Sequence, residues 1–277
     1  MAKTKLMGIL NTTPDSFFEG SRTPSIDQAI AKAFQLQEEG ADYIDIGGES
    51  TRPGSSCVSE TEELSRVIPL IKELTSNSAF TVPISIDTLK PAVARAAAEA
   101  GVSLINDVSG FSRPEMISLA KEINLPICVM HMQGNPKTMQ KNPNYPKGVI
   151  SSLNQWFREK TDDLISQGIK PEKIILDPGI GFGKTVADNL EIIHNLPLFK
   201  QLGFPLLLGV SRKWFIGQIL NKPTSELLIG TLAANAMAIS HFVDIIRVHD
   251  VKEHRNLIDF MDVYNHVEKN NVKKKTE

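Results

Sequence analysis

The chain has 277 residues, which is the usual length of one eight-stranded β/α barrel and allows a large buried core. With 22% charged residues and a formal net charge of −2, it lacks the basic character of a nucleic-acid-binding domain. Cys57 and Cys128 form no CxxC pair, which argues against a disulfide scaffold and a structural zinc site. The first residues lack the apolar core of a signal peptide, and no run approaches the ~20 apolar residues that span a bilayer, so we expect a cytoplasmic protein.

Short segments rich in Ile, Leu and Val alternate with longer helical patterns along the whole chain. In chain order, strands are predicted at residues 5–11, 43–47, 83–87, 103–108, 126–131, 173–177, 205–210 and 244–248. Helices are predicted at 26–39, 60–74, 91–100, 114–122, 149–167, 186–198 and 225–240, with a last one after Asp250. Eight units in strict alternation favour an α/β fold, a single-domain (β/α)8 TIM barrel, and an open doubly wound sheet is the alternative.

Residues 1–267 form one predicted domain, because no linker or internal repeat divides the alternation. Residues 268–277 differ from it in carrying four lysines and almost no apolar side chain, so we expect a frayed polar tail. Pro91 and Pro114 stand where the first turn of a helix accepts proline. The chain is therefore predicted to fold as one unit with a solvated end.

Polar side chains stand at or shortly after the end of every predicted strand. They include Asn11, Thr51, Asp87, Asn106, His131, Asp177, Lys213, Arg247 and His249. In a parallel barrel these ends meet at one rim, where active sites are built. A strand-end Asp, Asn or Ser often does no more than cap a helix or form a turn. Capping does not require Lys213, Arg247 and His249 as well, so the pattern predicts a site for a small phosphorylated substrate.

The glycine-rich segment 179–185 resembles a phosphate-binding loop in composition, but its spacing fits neither GxxxxGK[ST] nor GxGxxG. We interpret it as a pliable loop over the site and not as a nucleotide site. The histidines give no zinc-binding set, because only His131 and His249 stand at strand ends and the others fall on predicted helices. Cys57 in a loop and Cys128 inside an apolar strand do not suggest a catalytic thiol.

Several motifs in a fixed order carry a resemblance to a known family. They are Gly8-Ile9-Leu10-Asn11-Thr12-Thr13-Pro14-Asp15-Ser16-Phe17, Gly47-Gly48-Glu49-Ser50-Thr51-Arg52-Pro53-Gly54, Ser85-Ile86-Asp87-Thr88, Met130-His131-Met132-Gln133-Gly134-Asn135-Pro136, Asp177-Pro178-Gly179-Ile180-Gly181-Phe182-Gly183-Lys184, Ser211-Arg212-Lys213 and Ile246-Arg247-Val248-His249-Asp250. From Met7 to about Lys252 the chain is similar to the dihydropteroate synthase family of pterin-binding barrels.

The resemblance implies an enzyme of folate biosynthesis and a target of sulfonamides. It would condense 6-hydroxymethyl-7,8-dihydropterin pyrophosphate with p-aminobenzoate and release 7,8-dihydropteroate and pyrophosphate. The resemblance also implies Mg²⁺ as cofactor, small molecules as partners and a homodimer, with no role for nucleic acid or membrane.

The resemblance assigns roles to individual residues. The pterin would be bound by Asp87, Asn106, Asp177 and Lys213. The pyrophosphate would be bound by Asn11, Thr51, Arg247 and His249, and Asn11 would also offer its side-chain oxygen to Mg²⁺. The implied catalytic residues are Asn11, Lys213, Arg247 and His249. Carboxylates that accept N–H groups from an aminopyrimidine edge form strong and directional contacts.

The aminobenzoate ring would lie against Phe17, Arg52, Pro53, Phe182 and Ser211. The loops after the first two strands would close over the ring and exclude water. After the position of Phe17 the family usually has Ser-Asp-Gly, whereas this chain has Phe18, Glu19 and Gly20. That departure touches none of the assigned residues, but it bears on how the first loop closes and how it contacts inhibitors.

The implied chemistry is a dissociative displacement without a covalent enzyme intermediate. An aryl amine is already a neutral nucleophile, and no activated Cys or Ser is evident. Catalysis would come from positioning and from the metal and Arg247, which would neutralise charge on the leaving oxygens. The alternatives are a methyl transferase acting between a folate and a corrinoid protein, a sugar-phosphate aldolase or isomerase using Lys213, and an inactive folate-binding protein.

Overall fold

The computed structural model describes residues 3–12, 26–50, 58–134 and 138–276, with side chains described as far as Asn265. Over these ranges strands and helices follow in the order β1 Lys5–Asn11, α1 Ile26–Glu38, β2 Tyr43–Gly47, α2 Glu60–Ser76, β3 Ile84–Asp87, α3 Pro91–Glu99, β4 Leu104–Asp107, α4 Pro114–Ile123, β5 Ile127–Met130, α5 Val149–Ser166, β6 Ile174–Asp177, α6 Val186–His194, α7 Leu196–Lys200, β7 Leu207–Leu208, α8 Trp214–Leu220, α9 Leu228–Ser240, β8 Ile245–Val248 and α10 Val251–Thr276. Short 3-10 turns at Pro171–Lys173 and Thr224–Glu226 precede β6 and α9.

The strands form one parallel sheet in the order β6-β5-β4-β3-β2-β1-β8-β7. A further parallel bridge joins Leu176 of β6 to Leu206, the residue before β7, so the two ends of this order meet. The sheet therefore curves into a barrel. This confirms the predicted (β/α)8 fold and excludes the open doubly wound sheet, whose outer strands would not pair with each other.

Alternate residues of each strand face opposite sides of the barrel wall. Outward residues such as Ile44 and Ile86 are buried beneath the helices, where each contributes ~1.5–3 kcal/mol by leaving water. Near the start of the strands, the inward residues form a separate apolar plug consisting of Met7, Leu104, Cys128, Leu207 and Ile245. Further along, several inward residues are polar or charged. Above the plug they form a polar floor that consists of Asp45, Asp87, Asn106, Asp177 and Arg247.

Specific contacts at the helix ends fix the loops at the carboxyl rim. Ser59 caps α2, because its Oγ accepts the backbone N–H of Glu62 at 3.2 Å. At α6, Thr185 and Asp188 form a reciprocal capping box. Pro91 and Pro114 lie in the first turns of α3 and α4, as predicted.

The region between β6 and β8 departs from the prediction. The predicted helix 186–198 is two helices, because Pro197 lies in the first turn of α7 and cannot continue the hydrogen bonding of α6. The predicted strand 205–210 is regular only over the two residues of β7. Helix α8 was not predicted, because it spans only seven residues before Asn221 ends it in the left-handed conformation.

The last helix, α10, continues to Thr276 and includes most of the segment 268–277 that was predicted to be a frayed tail. Lysine and glutamate are good helix formers, so a polar composition by itself does not end a helix. In the described part of the chain, no helix is both long enough and apolar enough to cross a membrane.

Candidate active site

The carboxyl ends of the strands bring the predicted site residues together. In the strand register, Asp87 of β3 stands beside Asn106 of β4. Arg247 of β8 reaches across the barrel and donates from Nη2 to Asp87 at 2.7 Å. Lys213 and Asp177 lie close enough for the charge of each to shift the pKa of the other. The predicted cluster of acids, amide and cations is therefore present at one rim.

Asp45 of β2 also belongs to this cluster, although it does not end a strand. Its side chain is fully buried, and its Oδ2 accepts Arg247 Nε at 2.6 Å and Asn106 Nδ2 at 3.1 Å. A carboxylate only accepts hydrogen bonds, so the Asn106 amide turns its nitrogen toward Asp45 and its oxygen away. Sequence reasoning missed Asp45 because it considered strand ends. The available signal was an acid in the middle of an apolar strand.

Burial and neighbouring charges determine the protonation of these groups. Burial raises the pKa of Asp87 to about 7, against the charge of Arg247 and with a contribution from Asp45. Burial opposes the charged form of Arg247, but Asp45 and Asp87 outweigh it and raise the pKa of the guanidinium. Burial also raises the pKa of Asp177 and lowers that of Lys213 to about 8, while each partially offsets the shift of the other. Asp87 and Lys213 therefore titrate near neutral pH, whereas Arg247 stays charged.

Lys213 connects the loop after β7 to the loop after β6. Its Nζ donates to the carbonyl of Ile180 and lies 4.7 Å from the ring centroid of Phe182. An ammonium over an aromatic face is an attractive arrangement. The lysine predicted to bind the pterin and the phenylalanine predicted to bind the aminobenzoate are therefore in contact.

The glycine-rich loop after β6 is held by hydrogen bonds. Gly179 N donates to Asp177 Oδ1, and Gly181 N donates to Asn189 Oδ1, both at 2.7 Å. Gly179 has φ 67°, and a Cβ there would overlap the carbonyl oxygen of His131, so this position requires glycine. The loop is thus a fixed wall of the site, and the prediction of a pliable cover was wrong.

Behind this wall, Lys184 is fully buried and reaches the loop after β5. Its Nζ lies 3.1 Å from His131 Nδ1, 3.3 Å from His131 O and 3.1 Å from Phe182 O. Burial lowers the pKa of Lys184 to about 7 and that of His131 to about 3, so His131 is neutral at physiological pH. The His131 ring also packs edge-on against Trp156. His131 and Lys184 therefore support the wall, which sequence reasoning did not predict.

The motifs after β7 and β8 are joined to each other. Ser211 Oγ lies 2.9 Å from His249 Nδ1 and accepts the His249 backbone N–H at 3.1 Å. Between Ser211 and Lys213, Arg212 has φ 52° and binds Asp250 by two N–H groups at 2.9 and 2.7 Å. Such a bidentate pair is geometrically specific. It fixes the backbone from which Ser211 and Lys213 project.

The loop after β2 rests on a network of ion pairs. Lys90 donates to both Glu49 and Glu63, and Glu63 also accepts Thr88 Oγ1 at 2.6 Å. A Cβ on Gly48 would come within 2.9 Å of the Glu63 side chain, so a larger residue would displace it. Gly48, Glu49 and Thr88 of the sequence motifs therefore stabilise the backbone next to the site.

Asn11 ends β1 in register with Gly47 of β2. A Cβ on Gly47 would lie 3.6 Å from Asn11 Oδ1 and 3.5 Å from Asp87 Cβ, so the missing side chain leaves space between the two residues.

Among the described residues no group of three His, Cys, Asp or Glu could hold a metal ion. The remaining predicted residues lie outside the described ranges: Phe17, Thr51, Arg52, Pro53, and also Cys57.

Comparison with known proteins identifies the family of the chain. The family model for pterin binding enzymes matches residues 7–249. The dihydropteroate synthase of Escherichia coli (strain K12) is 47% identical over 248 residues, which are 90% of this chain and 87% of that protein. Two solved structures of such synthases also match. The enzyme of Yersinia pestis in a sulfonamide drug complex has a TM-score of 0.91 and 42% identity, and covers 95% of each chain.

The second structure is the Xanthomonas albilineans synthase with 4-aminobenzoic acid. It has a TM-score of 0.86 and 37% identity, with 96% of this chain and 93% of that chain covered. Family model, sequence identity and fold all agree over almost the whole barrel. The chain therefore belongs to the pterin-binding enzyme family and, within it, to the dihydropteroate synthases, which are transferases.

Proposed function

We propose that the chain condenses 6-hydroxymethyl-7,8-dihydropterin pyrophosphate with p-aminobenzoate, and that it releases 7,8-dihydropteroate and pyrophosphate in folate biosynthesis. The observation that carries this proposal is the polar floor at the barrel mouth, with Lys213 beside it. Acids and an amide suit the N–H groups of an aminopyrimidine, and cations suit its leaving anion. The similarity to dihydropteroate synthases supports the same reaction.

The pterin would lie on the polar floor. Asp177 would accept two N–H groups from the aminopyrimidine edge, and Lys213 beside it favours the ionised carboxylate that this requires. Asn106 turns its side-chain oxygen away from Asp45, as an acceptor for a further N–H group. A heterocycle without these donors would leave buried acceptors unsatisfied, which gives the site its selectivity.

The pyrophosphate would be bound by Arg247 and His249, with Asn11 and Thr51 as further ligands. Ser211 Oγ lies 2.9 Å from Nδ1 of His249 and orients the imidazole that would meet the phosphate oxygens. Arg247 remains charged at any physiological pH. Its guanidinium would stabilise the negative charge that grows on the leaving group in the transition state.

The aminobenzoate would lie over Phe182 and Ser211, with Phe17, Arg52 and Pro53 completing its site. Phe182 is held in place by Lys213 and by the fixed loop after β6. The Xanthomonas albilineans relative was solved with 4-aminobenzoic acid, and the Yersinia pestis relative with a sulfonamide drug. Both observations support a site for p-aminobenzoate and for sulfonamides here. Closure of residues 13–25 and 51–57 over this site stays a prediction, because they lie outside the described ranges.

We infer a dissociative displacement. The bond between the methylene carbon and the leaving oxygen breaks while the pterin ring delocalises positive charge. The amine nitrogen then forms the new bond, and its proton passes to water or to the released pyrophosphate. Among the described residues, the one cysteine is unsuited to form a covalent intermediate. Cys128 is buried in the apolar plug, and burial raises the pKa of its thiol well above the ordinary value.

Mg²⁺ would bind at the rim between the protein and the pyrophosphate. The space over Gly47, beside Asn11 Oδ1, is the feature of the fold that supports this proposal. Mg²⁺ prefers oxygen ligands and keeps several waters, so one amide oxygen and the pyrophosphate oxygens would suffice. When bound, it would supply positive charge to the leaving oxygens. Asn11 would hold it, and Arg247 would neutralise the remaining charge.

We also propose that the chain forms a homodimer through α9 and α10. These two helices pack together and carry strongly exposed apolar side chains, among them Ile229 and Met237 on α9 and Phe260 and Val263 on α10. Exposed apolar surface of this kind is typical of association. Light scattering should show a dimer at micromolar concentration, and Phe260→Lys should weaken it. The cytoplasmic location stays a prediction.

The experiment that tests the reaction measures pyrophosphate release from the pterin substrate, with and without p-aminobenzoate and Mg²⁺. We expect release that depends on both substrates and matches dihydropteroate formation. Asp177→Asn should raise the pterin KM ~10-fold or more, whereas Asp163→Asn on the exposed side of α5 should not. Pterin binding without pyrophosphate release, or methyl transfer from a methyl-folate, would contradict the proposal.

A further inference from the structure

Asp45 is a buried acid that the assigned site residues leave unexplained. It lies in the middle of β2, below the rim, with a fully buried side chain. A buried carboxylate is costly unless a charged or hydrogen-bonding partner compensates it. Its partners are two residues of the polar floor, Arg247 and Asn106, so the acid is placed where it can control both.

Arg247 divides its guanidinium between two acids. Its Nε donates to Asp45 at 2.6 Å, and its Nη2 donates to Asp87 at 2.7 Å. These acids differ in depth, because Asp45 precedes the end of β2 by two residues whereas Asp87 ends β3. A substrate that enters from the rim reaches Asp87 first.

We propose that Asp45 is a positioning residue for the reaction: it keeps Arg247 anchored through Nε while Nη2 leaves Asp87 for the pyrophosphate. This inference rests on the proposed function, in which the pterin takes over Asp87. Arg247 then keeps a buried counter-charge throughout the exchange and never becomes an unpaired buried cation. The same oxygen of Asp45 holds the Asn106 amide in the orientation that presents its oxygen to the pterin.

Loss of the Asp45 charge would change the competition between Arg247 and the pterin for Asp87. Arg247 would then depend on Asp87 as its close counter-charge, and the pterin would have to break that pair to bind. Pterin affinity and turnover should therefore fall together, although Asp45 touches neither substrate. The aminobenzoate site, which lies beside Phe182 and Ser211, should be unaffected.

The test compares Asp45→Asn with a matched control, Asp42→Asn. The first substitution keeps the shape and one acceptor oxygen but removes the charge. Asp42, just before β2, binds Leu6 N and Arg255 away from the floor. With 6-hydroxymethylpterin in calorimetry, we expect Asp45→Asn to raise Kd ~10-fold or more and to lower kcat by a similar factor, with the aminobenzoate KM within about twofold. Asp42→Asn should leave all three quantities near the wild-type values.

A double-variant cycle separates positioning from a merely structural role. In the Arg247→Ala background Asp45 is an acid without its cation, so adding Asp45→Asn should improve pterin binding and raise Tm. In the wild-type background the same substitution should weaken pterin binding. A merely structural ion pair would also reverse the sign of the Tm change, so the pterin Kd decides: if Asp45→Asn changes Tm in both backgrounds but leaves the pterin Kd within about twofold, the proposal is overturned.

A structure of the wild-type chain with the pterin pyrophosphate tests the inference without any variant. We expect Arg247 Nε to remain on Asp45 while Nη2 is separated from Asp87. An Arg247 that leaves Asp45, or that stays on Asp87, would overturn the inference. If the wild-type chain releases no pyrophosphate, the proposed function fails. If it is active but Asp45→Asn behaves like Asp42→Asn, only the role of Asp45 fails.

Discussion

The two faces of the barrel wall come from the same strands but follow different rules. In β3, Ile84 and Ile86 face the helices, while Ser85 and Asp87 face the interior. The outer face is continuous apolar packing, which stabilises the fold in proportion to the area buried. Beyond its apolar plug, the inner face buries charges, which cost free energy unless they are paired. Because the side-chain period of a strand is two, neighbouring residues serve stability and chemistry separately, and substitutions can test that separation.

The largest effect should come from the inner face at Arg247. Arg247→Ala removes the guanidinium proposed to face the leaving pyrophosphate, and we expect kcat/KM to fall ~10³-fold or more. Steady-state kinetics, normalised to the folded fraction from circular dichroism, measure this. A loss of less than about tenfold would remove Arg247 from the chemistry.

On the outer face, Ile86→Ala should lower stability and leave the catalytic rate nearly unchanged. Removal of a fully buried side chain should cost ~2–5 kcal/mol of unfolding free energy, because a cavity remains between β3 and its helices. The kcat of the folded fraction should change less than about twofold. Urea unfolding and kinetics on the same preparation measure both. A large fall in kcat with little loss of stability would show that the two faces are not independent.

Lys184 lies between these extremes, since it supports the wall without facing the substrate. Lys184→Met leaves acceptors on His131 and Phe182 without their donor, so we expect a loss of ~1–3 kcal/mol in unfolding free energy. The exposed control is Lys222, whose ion pair with Glu226 should contribute ~0.5 kcal/mol or less. Equal losses in the two variants would contradict the assigned role of Lys184.

A further prediction concerns the pH dependence of stability at Asp87. Its pKa of about 7 in the folded protein exceeds the ordinary value of 3.8, so the folded state binds this proton more tightly than the unfolded chain does. That stabilisation is complete below pH ~4 and is lost as pH rises through 7. Relative to Asp87→Asn, which cannot ionise, the wild-type unfolding free energy should therefore fall between pH 4 and 7. Urea titrations across that range measure it, and a rise would contradict the assigned shift.

Much of the fold could be predicted because the local sequence of each strand is enough to identify it. Runs of Ile, Leu and Val with polar ends identified the barrel, and the convergence of its strand ends placed Asp87, Asp177 and Arg247 at one rim. The predicted bounds of strands and helices were wrong where the element spans only a few residues. The two-residue strand β7 and the seven-residue helix α8 depend on packing against their neighbours more than on their own sequence.

The parts of the site that escaped prediction depend on contacts between distant segments. Asp45 meets Arg247 across 202 positions of the chain, and Lys184 meets His131 across 53. No pattern within β2 indicates which cation its acid will bind. The depth of a side chain below the rim is likewise set by the relative positions of strands. Local periodicity gives the direction of a side chain but not its partner.

The bridge between Leu176 and Leu206 makes one side of the barrel wall a seam. Asp177 stands on one margin of this seam and Lys213 beyond the other, and the bond from Lys213 to the Ile180 carbonyl crosses it. A ligand that binds both Asp177 and Lys213 would connect the two sides of the seam. Occupation of the mouth should therefore slow hydrogen exchange at the amide of Leu176, which donates to Pro205 across the join. The ligand would thus stabilise the barrel where β6 and β7 are joined by few hydrogen bonds.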